Sequence, residues 1–396
     1  MGGGLRRLDV LDRIRLGLLA AGLLCAATGL LPLTAAAESL ARVAPLLLFL
    51  VAVIVLAELA REAQVFDVVA TRLAIVGGGS YPALFLLCTA FASLVTIFLN
   101  LDTTAVLLTP VMVALARRAG IRPLPLAVTT VWLANTASLV LPVSNLTNLL
   151  AMNRFALGTR GFAARMWAPG LTSIAVTMVF LWVFFWRRAE RGEERYRPPA
   201  VVPVADRLLF TAAVSVCVLF AAAILAGVRI EIAALGAAVA VVAAFAWRDR
   251  SKLGWSLIPW RLLVFVTGLF LVVPTLARLG LADVMRAVVG VDGGVSGACR
   301  AAAAGAGLSS MVNNLPAYVA AEQVIPPADG TRLLSLLVGV NIGPVVTPWG
   351  SLATLLWFEW CRRREVPVPI GRFVVTGAGL AVAALAATVG VLLLTA

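Results

Sequence analysis

At positions 131–151 the chain reads VWLANTASLVLPVSNLTNLLA, an apolar stretch of spanning length filled with small polar residues. Asn135, Thr136, Ser138, Ser144, Asn145, Thr147 and Asn148 crowd around Pro142. Proline has no N–H and disfavours helix at the residue before it, so an unbroken helix is not expected here. Hydrocarbon tolerates non-helical backbone only where it is buried in protein or lines a wet cavity. The stretch therefore reads as a broken transmembrane helix, a usual place for a transporter's binding site. Taken alone, it also fits a Pro-kinked helix whose Ser and Thr bond back to its own carbonyls.

A second copy favours the broken helix. Positions 339–356 read GVNIGPVVTPWGSLATLL. Laid without a gap on 133–150, Asn135 falls on Asn341 and Pro142 on Pro348. Thr347, Ser351 and Thr354 restore the polar cluster, and Gly343 and Gly350 loosen the backbone. Two interrupted apolar segments at corresponding places in two halves point to a secondary-transporter site.

Residues that are 62% hydrophobic leave little for a soluble domain, so the chain is an integral membrane protein. The net charge of +13 resembles a nucleic-acid signal. Its arginines, however, sit in short loops between apolar runs, as the positive-inside rule requires, and no base-reading or stacking face accompanies them. Histidine is absent, which removes the commonest metal ligand and neutral-pH proton carrier. Cys25, Cys88, Cys217, Cys299 and Cys361 lie far apart without a CxxC pair. No cofactor or metal is expected. With no metal-ligand cluster, nucleophile–base pair or soluble catalytic domain, an enzyme is not expected either.

In chain order, 1–15 is a basic cytoplasmic N-terminus. A first repeat follows over 16–187. It has helices over 16–37 and 43–60, an interfacial segment over 64–76, a hairpin over 81–120, the broken helix over 124–150 and a returning helix over 167–186. The run at 16–37 has the form of a signal peptide, but the repeat needs it as a helix. The hairpin region is too long for one span of about 20 residues, and arginines flank both of its ends. A re-entrant hairpin fits, with two full spans joined at 100–104 as the alternative. A cytoplasmic linker over 188–207 and a connecting helix over 208–227 lead to the second repeat, 228–396. That repeat contains a hairpin over 295–325 and a broken helix over 331–357. The connecting helix inverts the second repeat. The expected fold is an all-α, multi-pass protein of the cytoplasmic membrane with about nine spanning helices, two re-entrant hairpins and two broken helices. Its C-terminus would lie outside.

The two tips and two breaks would bring half-helix ends together, with free N–H groups and carbonyls. Asn100, Thr103, Thr104, Asn135, Ser138, Ser144, Asn145 and Thr147 would line the site from one half. Asn313, Asn314, Asn341, Thr347, Ser351 and Thr354 would line it from the other. These groups both donate and accept hydrogen bonds, and none is Arg or Lys. A neutral polyhydroxy solute needs no cation; a polyanion would need helix dipoles and a co-bound cation. Asp102 is the carboxylate expected deep in the membrane, where such residues are costly and usually carry protons or cations. A cap on the hairpin's own N–H groups is its structural alternative.

The segments FLNLDTTAVLLTP, ANTASLVLPVSNLTNLL, SSMVNNLP and NIGPVVTPWGSLATLLW resemble the ArsB-type arsenite/antimonite permeases of the ion transporter superfamily. That superfamily also holds divalent-anion symporters and NhaD-type antiporters. The resemblance spans about 43–357. It implies scaffold helices and a moving domain of hairpins and broken helices. It also implies export of trivalent arsenic or antimony hydroxide coupled to protons, with Asp102 as the coupling residue. An ArsA-like ATPase and a second copy of the chain, as a homodimer, are the partner candidates. Two features depart from the pattern. The Asn-Asp pair of the first tip is here Asn100-Leu101-Asp102. The Ser-Asn-Thr triplets of the sodium–carboxylate symporters are here Ser144-Asn145-Leu146-Thr147 and Ser351-Leu352-Ala353-Thr354. The second departure weakens the rival reading, a sodium-coupled importer of carboxylates or other small anions.

Overall fold

The computed structural model describes residues 10–155, 157–187 and 195–395. Among them the regular structure is helical throughout. Helix α1 (Val10–Ala27) is followed by α2 (Leu33–Glu62), α3 (Val65–Val76) and α4 (Tyr81–Leu99). Next come α5 (Leu101–Thr103), a π-helical turn (Thr104–Leu108) and α6 (Thr109–Arg118). Then follow α7 (Pro123–Thr136), α8 (Leu146–Arg154) and α9 (Thr159–Phe185). The second half has α10 (Arg207–Leu225), α11 (Ile230–Arg248), α12 (Trp260–Leu276), α13 (Ala282–Val289), α14 (Gly294–Met311) and α15 (Asn314–Glu322). It ends with α16 (Gly330–Ile342), α17 (Leu352–Arg363) and α18 (Ile370–Thr395).

Seven helical runs among the described residues are long and apolar enough to cross a membrane. Residues that would be costly in water, including Leu86, Val179, Leu219, Ile232, Val239 and Val382, stand exposed on them, as a lipid-facing surface requires. The count falls below nine for local reasons. Helix α1 carries Asp12, Arg13 and Arg15, and the two interrupted segments are each divided into short pieces. One boundary also differs. The first turn falls at 28–32, where Gly29 has φ +80° and Pro32 precedes α2, not at 38–42. The apolar run at 16–37 hides this break because its hydropathy does not change there.

The chain reverses at Asn100, whose φ of 112° is unusual for a residue with a Cβ. Its side-chain oxygen accepts from Thr103 N at 2.8 Å and so caps the returning arm. The two arms meet where Thr96 Oγ1 lies 2.9 Å from Thr104 Oγ1. Their far ends are tied by one segment. Tyr196 packs edge-on against Tyr81 and donates to Ala74 O, while Arg197 N donates to Ala119 O. The feet of this hairpin therefore share an end of the molecule with Arg117, Arg364, Arg61 and Lys252, called here the basic end.

The second hairpin, α14 and α15, stands on the opposite end. Arg332 bonds the Gly290 carbonyl before the first arm and lies 3.7 Å from Asp329 after the second. The feet of the two hairpins therefore lie at opposite ends of the molecule. Packing sorts the helices into two groups. Helices α1, α2, α10, α11 and α12 lie along one another, with α1 and α12 touching through Gly22 and Gly268. Helices α4, α6, α7, α9, α14, α16 and α18 form the other group with the two breaks. Trp132, Phe185, Trp357 and Phe373 pack ring against ring across α7, α9, α17 and α18 in its core.

Candidate solute-binding site

Four helix N-termini converge between the two groups. Each is capped by a short polar side chain. Asn100 caps α5, Asn145 accepts from Thr147 N at 3.2 Å on α8, and Asn313 accepts from Leu315 N at 3.4 Å on α15. Ser351 accepts from Thr354 N at 3.0 Å on α17. These caps arise because Asn and Ser offer an oxygen to the orphan N–H groups that open a helix. Between them lies a cavity of about 40 Å³, lined by Asn100, Asp102, Asn145, Asn313 and Asn314, with Phe49, Leu50 and Phe265 from α2 and α12. Its lining holds no Arg or Lys. Asn100 Nδ2 is buried without a protein partner.

The breaks are joined by one amide. Asn341 Oδ1 accepts from Asn145 Nδ2 and from Thr147 Oγ1, both at 2.9 Å, and Asn341 Nδ2 donates to Asn148 Oδ1 at 2.8 Å. Asn148 Nδ2 in turn donates to the Ser138 and Leu141 carbonyls, freed by the break before Pro142. On the other side Asn135 Nδ2 reaches Thr354 Oγ1 at 3.1 Å, and Thr354 lies 2.9 Å from Ser351 Oγ. Buried polar groups of this density are stable because nearly all are paired.

Asp102 sits where the central cavity meets a wider one of about 230 Å³. That vestibule is lined by Asp102, Thr103, Glu58, Arg15 and Arg261 among others. The two arginines are not free charges, since Asp12 holds both, each at 2.8 Å. The Asp102 carboxylate accepts no hydrogen bond from any described residue. The passage widens toward the basic end, where Glu58 lines the vestibule.

The family described as citrate transporter (CitMHS) matches residues 8–330. An arsenical pump membrane protein of Yersinia enterocolitica is 30% identical over 352 residues, covering 83% of this chain and 81% of that protein. One from Escherichia coli K12 is 27% identical over 351 residues with the same coverage. The chain belongs to the family of the arsenical pump membrane proteins. The crystal structure of the Alcanivorax borkumensis YdaH transporter superposes with a TM-score of 0.58 at 15% identity, covering 98% of each chain, and so shares the fold. This arsenical-pump relative is accordingly a multi-pass membrane transporter and not an enzyme.

Of the residues singled out in the sequence of this family member, Asn100, Asp102, Asn145, Asn313 and Asn314 line the central cavity, and Thr103 lines the vestibule with Asp102. Asn135, Thr147, Asn341, Ser351 and Thr354 lie just behind them in the network that joins the breaks. Ser138 bonds Asn135 O, Thr104 bonds Asn100 O, and Ser144 bonds Ile97 O, so these three brace the backbone. Thr347 donates to Ser310 O and ties the second tip to its break. Cys88 is buried and Cys299 exposed, and neither lines the cavity. Two residues were not singled out. Asn148 was legible in the polar cluster but not as the partner of Asn341. The other is Glu322, a carboxylate fully buried on α15. Its position near the end of a hairpin arm had hidden it.

Proposed function

We propose that the protein exports arsenite or antimonite across the cytoplasmic membrane in exchange for protons, by alternating access. The observation that carries this reading is Asp102, an unpartnered carboxylate at the junction of a small polar cavity and the vestibule from the basic end. A cavity of about 40 Å³ holds on the order of three waters. A metalloid trihydroxide is of that order, whereas a tricarboxylate is several times larger. The lining donates through amides and helix N-termini and accepts through amide oxygens, which suits hydroxyl groups. Asp102 would take up a proton on one side and release it on the other, its charge being tolerated only while it faces water.

The two halves act as inverted repeats in this reading. Helices α1, α2, α10, α11 and α12 serve as scaffold, and the hairpins and broken helices move against them. Arginine placement supports a basic end and N-terminus in the cytoplasm, with the end of α18 outside. The basic end would then be open to the solute's source. An ArsA-like ATPase would dock at this end, and a homodimer would form through scaffold surfaces.

The family match to citrate transporters favours a second reading, a sodium- or proton-coupled carrier of carboxylates. The absence of Arg and Lys from the cavity weighs against it. The test is uptake into inverted membrane vesicles under an imposed proton gradient, with arsenite compared against sodium-driven citrate. Arsenite accumulation that a protonophore abolishes supports the export reading. Citrate movement without arsenite flux overturns it.

A further inference from the structure

We infer that Glu322 is a second proton-binding residue of the transport cycle and that its ion pair with Arg42 holds the end opposite the basic end shut. The inference rests on the alternating-access reading above, though not on the identity of the solute. Glu322 has no exposure, and its Oε1 accepts from Arg42 at 2.8 Å. Arg42 belongs to α2, in the scaffold group, and Glu322 to the returning arm of the second hairpin. The bond therefore crosses the interface that must part if the cavity is to open on that side. Each residue stands eight positions from the cavity, Arg42 from Leu50 and Glu322 from Asn314, or roughly 12 Å along a helix. Asp102 and Glu322 thus flank the cavity from its two ends.

Arg154 is a second cation that faces Glu322. Arg154 on α8 donates to the Ile325 carbonyl at 2.9 Å. Glu322 Oε2 is buried, takes no bond from Arg42, and has the Tyr318 hydroxyl facing it from one turn earlier. That spare oxygen is where a proton would add. Breaking a buried pair by removing one charge is strongly unfavourable while the site stays closed. A proton on Glu322 neutralises it and leaves Arg42, which is partly exposed, free to turn to water. The pair then no longer resists separation of α15 from α2.

The experiment is labelling of Leu50→Cys, in a background without the native cysteines, by a membrane-impermeant maleimide. Right-side-out and inverted vesicles report the two ends separately. Labelling from the end opposite the basic end should be low at neutral pH and rise severalfold as pH falls. In Arg42→Gln and Glu322→Gln it should be high at every pH, and the exchanged pair Arg42→Glu with Glu322→Arg should return it to low. Labelling that is flat with pH, or unchanged in folded single variants, overturns the inference. Should a single variant not fold, the pH response of the parent and its loss in the other variant decide. Arsenite flux measured in the same vesicles separates failure of this gate from failure of the proposed cargo.

Discussion

Asn145 Nδ2 lies 2.9 Å from Asn341 Oδ1, so the N-cap of one broken helix bonds directly to the last turn before the other break. The contact spans the two halves of the chain at the back of the cavity. Thr147 and Asn148 complete it, so that Asn341 uses both its oxygen and its amide nitrogen. The broken helices are thereby held as one body.

Asn341→Ala should therefore loosen both breaks together. Three hydrogen bonds are lost and Asn148 Oδ1 is left buried. With buried bonds in membrane proteins contributing about 0.6–2 kcal/mol each, a loss of about 2–4 kcal/mol is expected. The check is thermal unfolding of the purified protein in detergent, alongside vesicle transport. Asn148→Ala should cost a comparable amount, and the double variant should cost less than the sum, because the two share a bond. Additive losses would show that the pair is not coupled.

Asp102→Asn should abolish accumulation driven by a proton gradient while the protein stays folded. The substitution keeps size and polarity and removes only the ability to carry a proton as a charge change. Since no described residue bonds the carboxylate, little stability rests on it. The expected melting temperature is within a degree or so of the parent, consistent with an effect below about 0.5 kcal/mol at an unpartnered position. Full gradient-driven flux in the variant would remove Asp102 from the coupling step.

Much of this site was legible because its residues announce themselves. Polar side chains are rare enough in an apolar chain that Asn135 stands out against Asn341, and the tip residues Asn100 and Asn313 stand out within their hairpins. Proline and the flanking Ser and Asn marked both breaks, and loop arginines marked the ends. What could not be read was pairing at a distance. Nothing around Asn148 says that its partner is Asn341, and nothing around Arg42 says that α15 lies beside it. Glu322 reads locally as the polar end of a short helix, and only the fold buries it. The break at Gly29 was missed for the opposite reason, since both flanks are equally apolar.

Helices α14 and α16 meet through backbone, not side chains. A Cβ on Gly339 would stand 2.1 Å from the Ala302 carbonyl oxygen, and one on Gly343 would stand 2.4 Å from the Ala306 oxygen. Neither neighbour is the movable end of a side chain. Gly339→Ala should force the helices apart and cost about 1–3 kcal/mol, as overpacking does. Gly236, with open space around it, is the control and should tolerate alanine. Thermal unfolding of both variants gives the comparison. Equal stability in the two would contradict the close approach.

Asp206 makes a pH-dependent contribution at the start of α10. Its Oδ2 accepts from Arg248 at 2.8 Å, and its Oδ1 accepts from the Leu208 and Leu209 N–H groups. The bond from Arg248 and then that from Leu209 hold its carboxyl below the usual carboxylate range. A carboxyl lowered in the folded state binds its proton more readily when unfolded, so folding gains from it above the ordinary value. That gain is lost as pH falls through the lowered folded value. The pair is exposed and screened by salt, so the effect should be small and weaker at high ionic strength. Melting temperature followed from neutral to acid pH should fall less steeply in Asp206→Asn than in the parent, starting from a slightly lower value at pH 7. Parallel curves would mean that the cap and its arginine contribute nothing as charges.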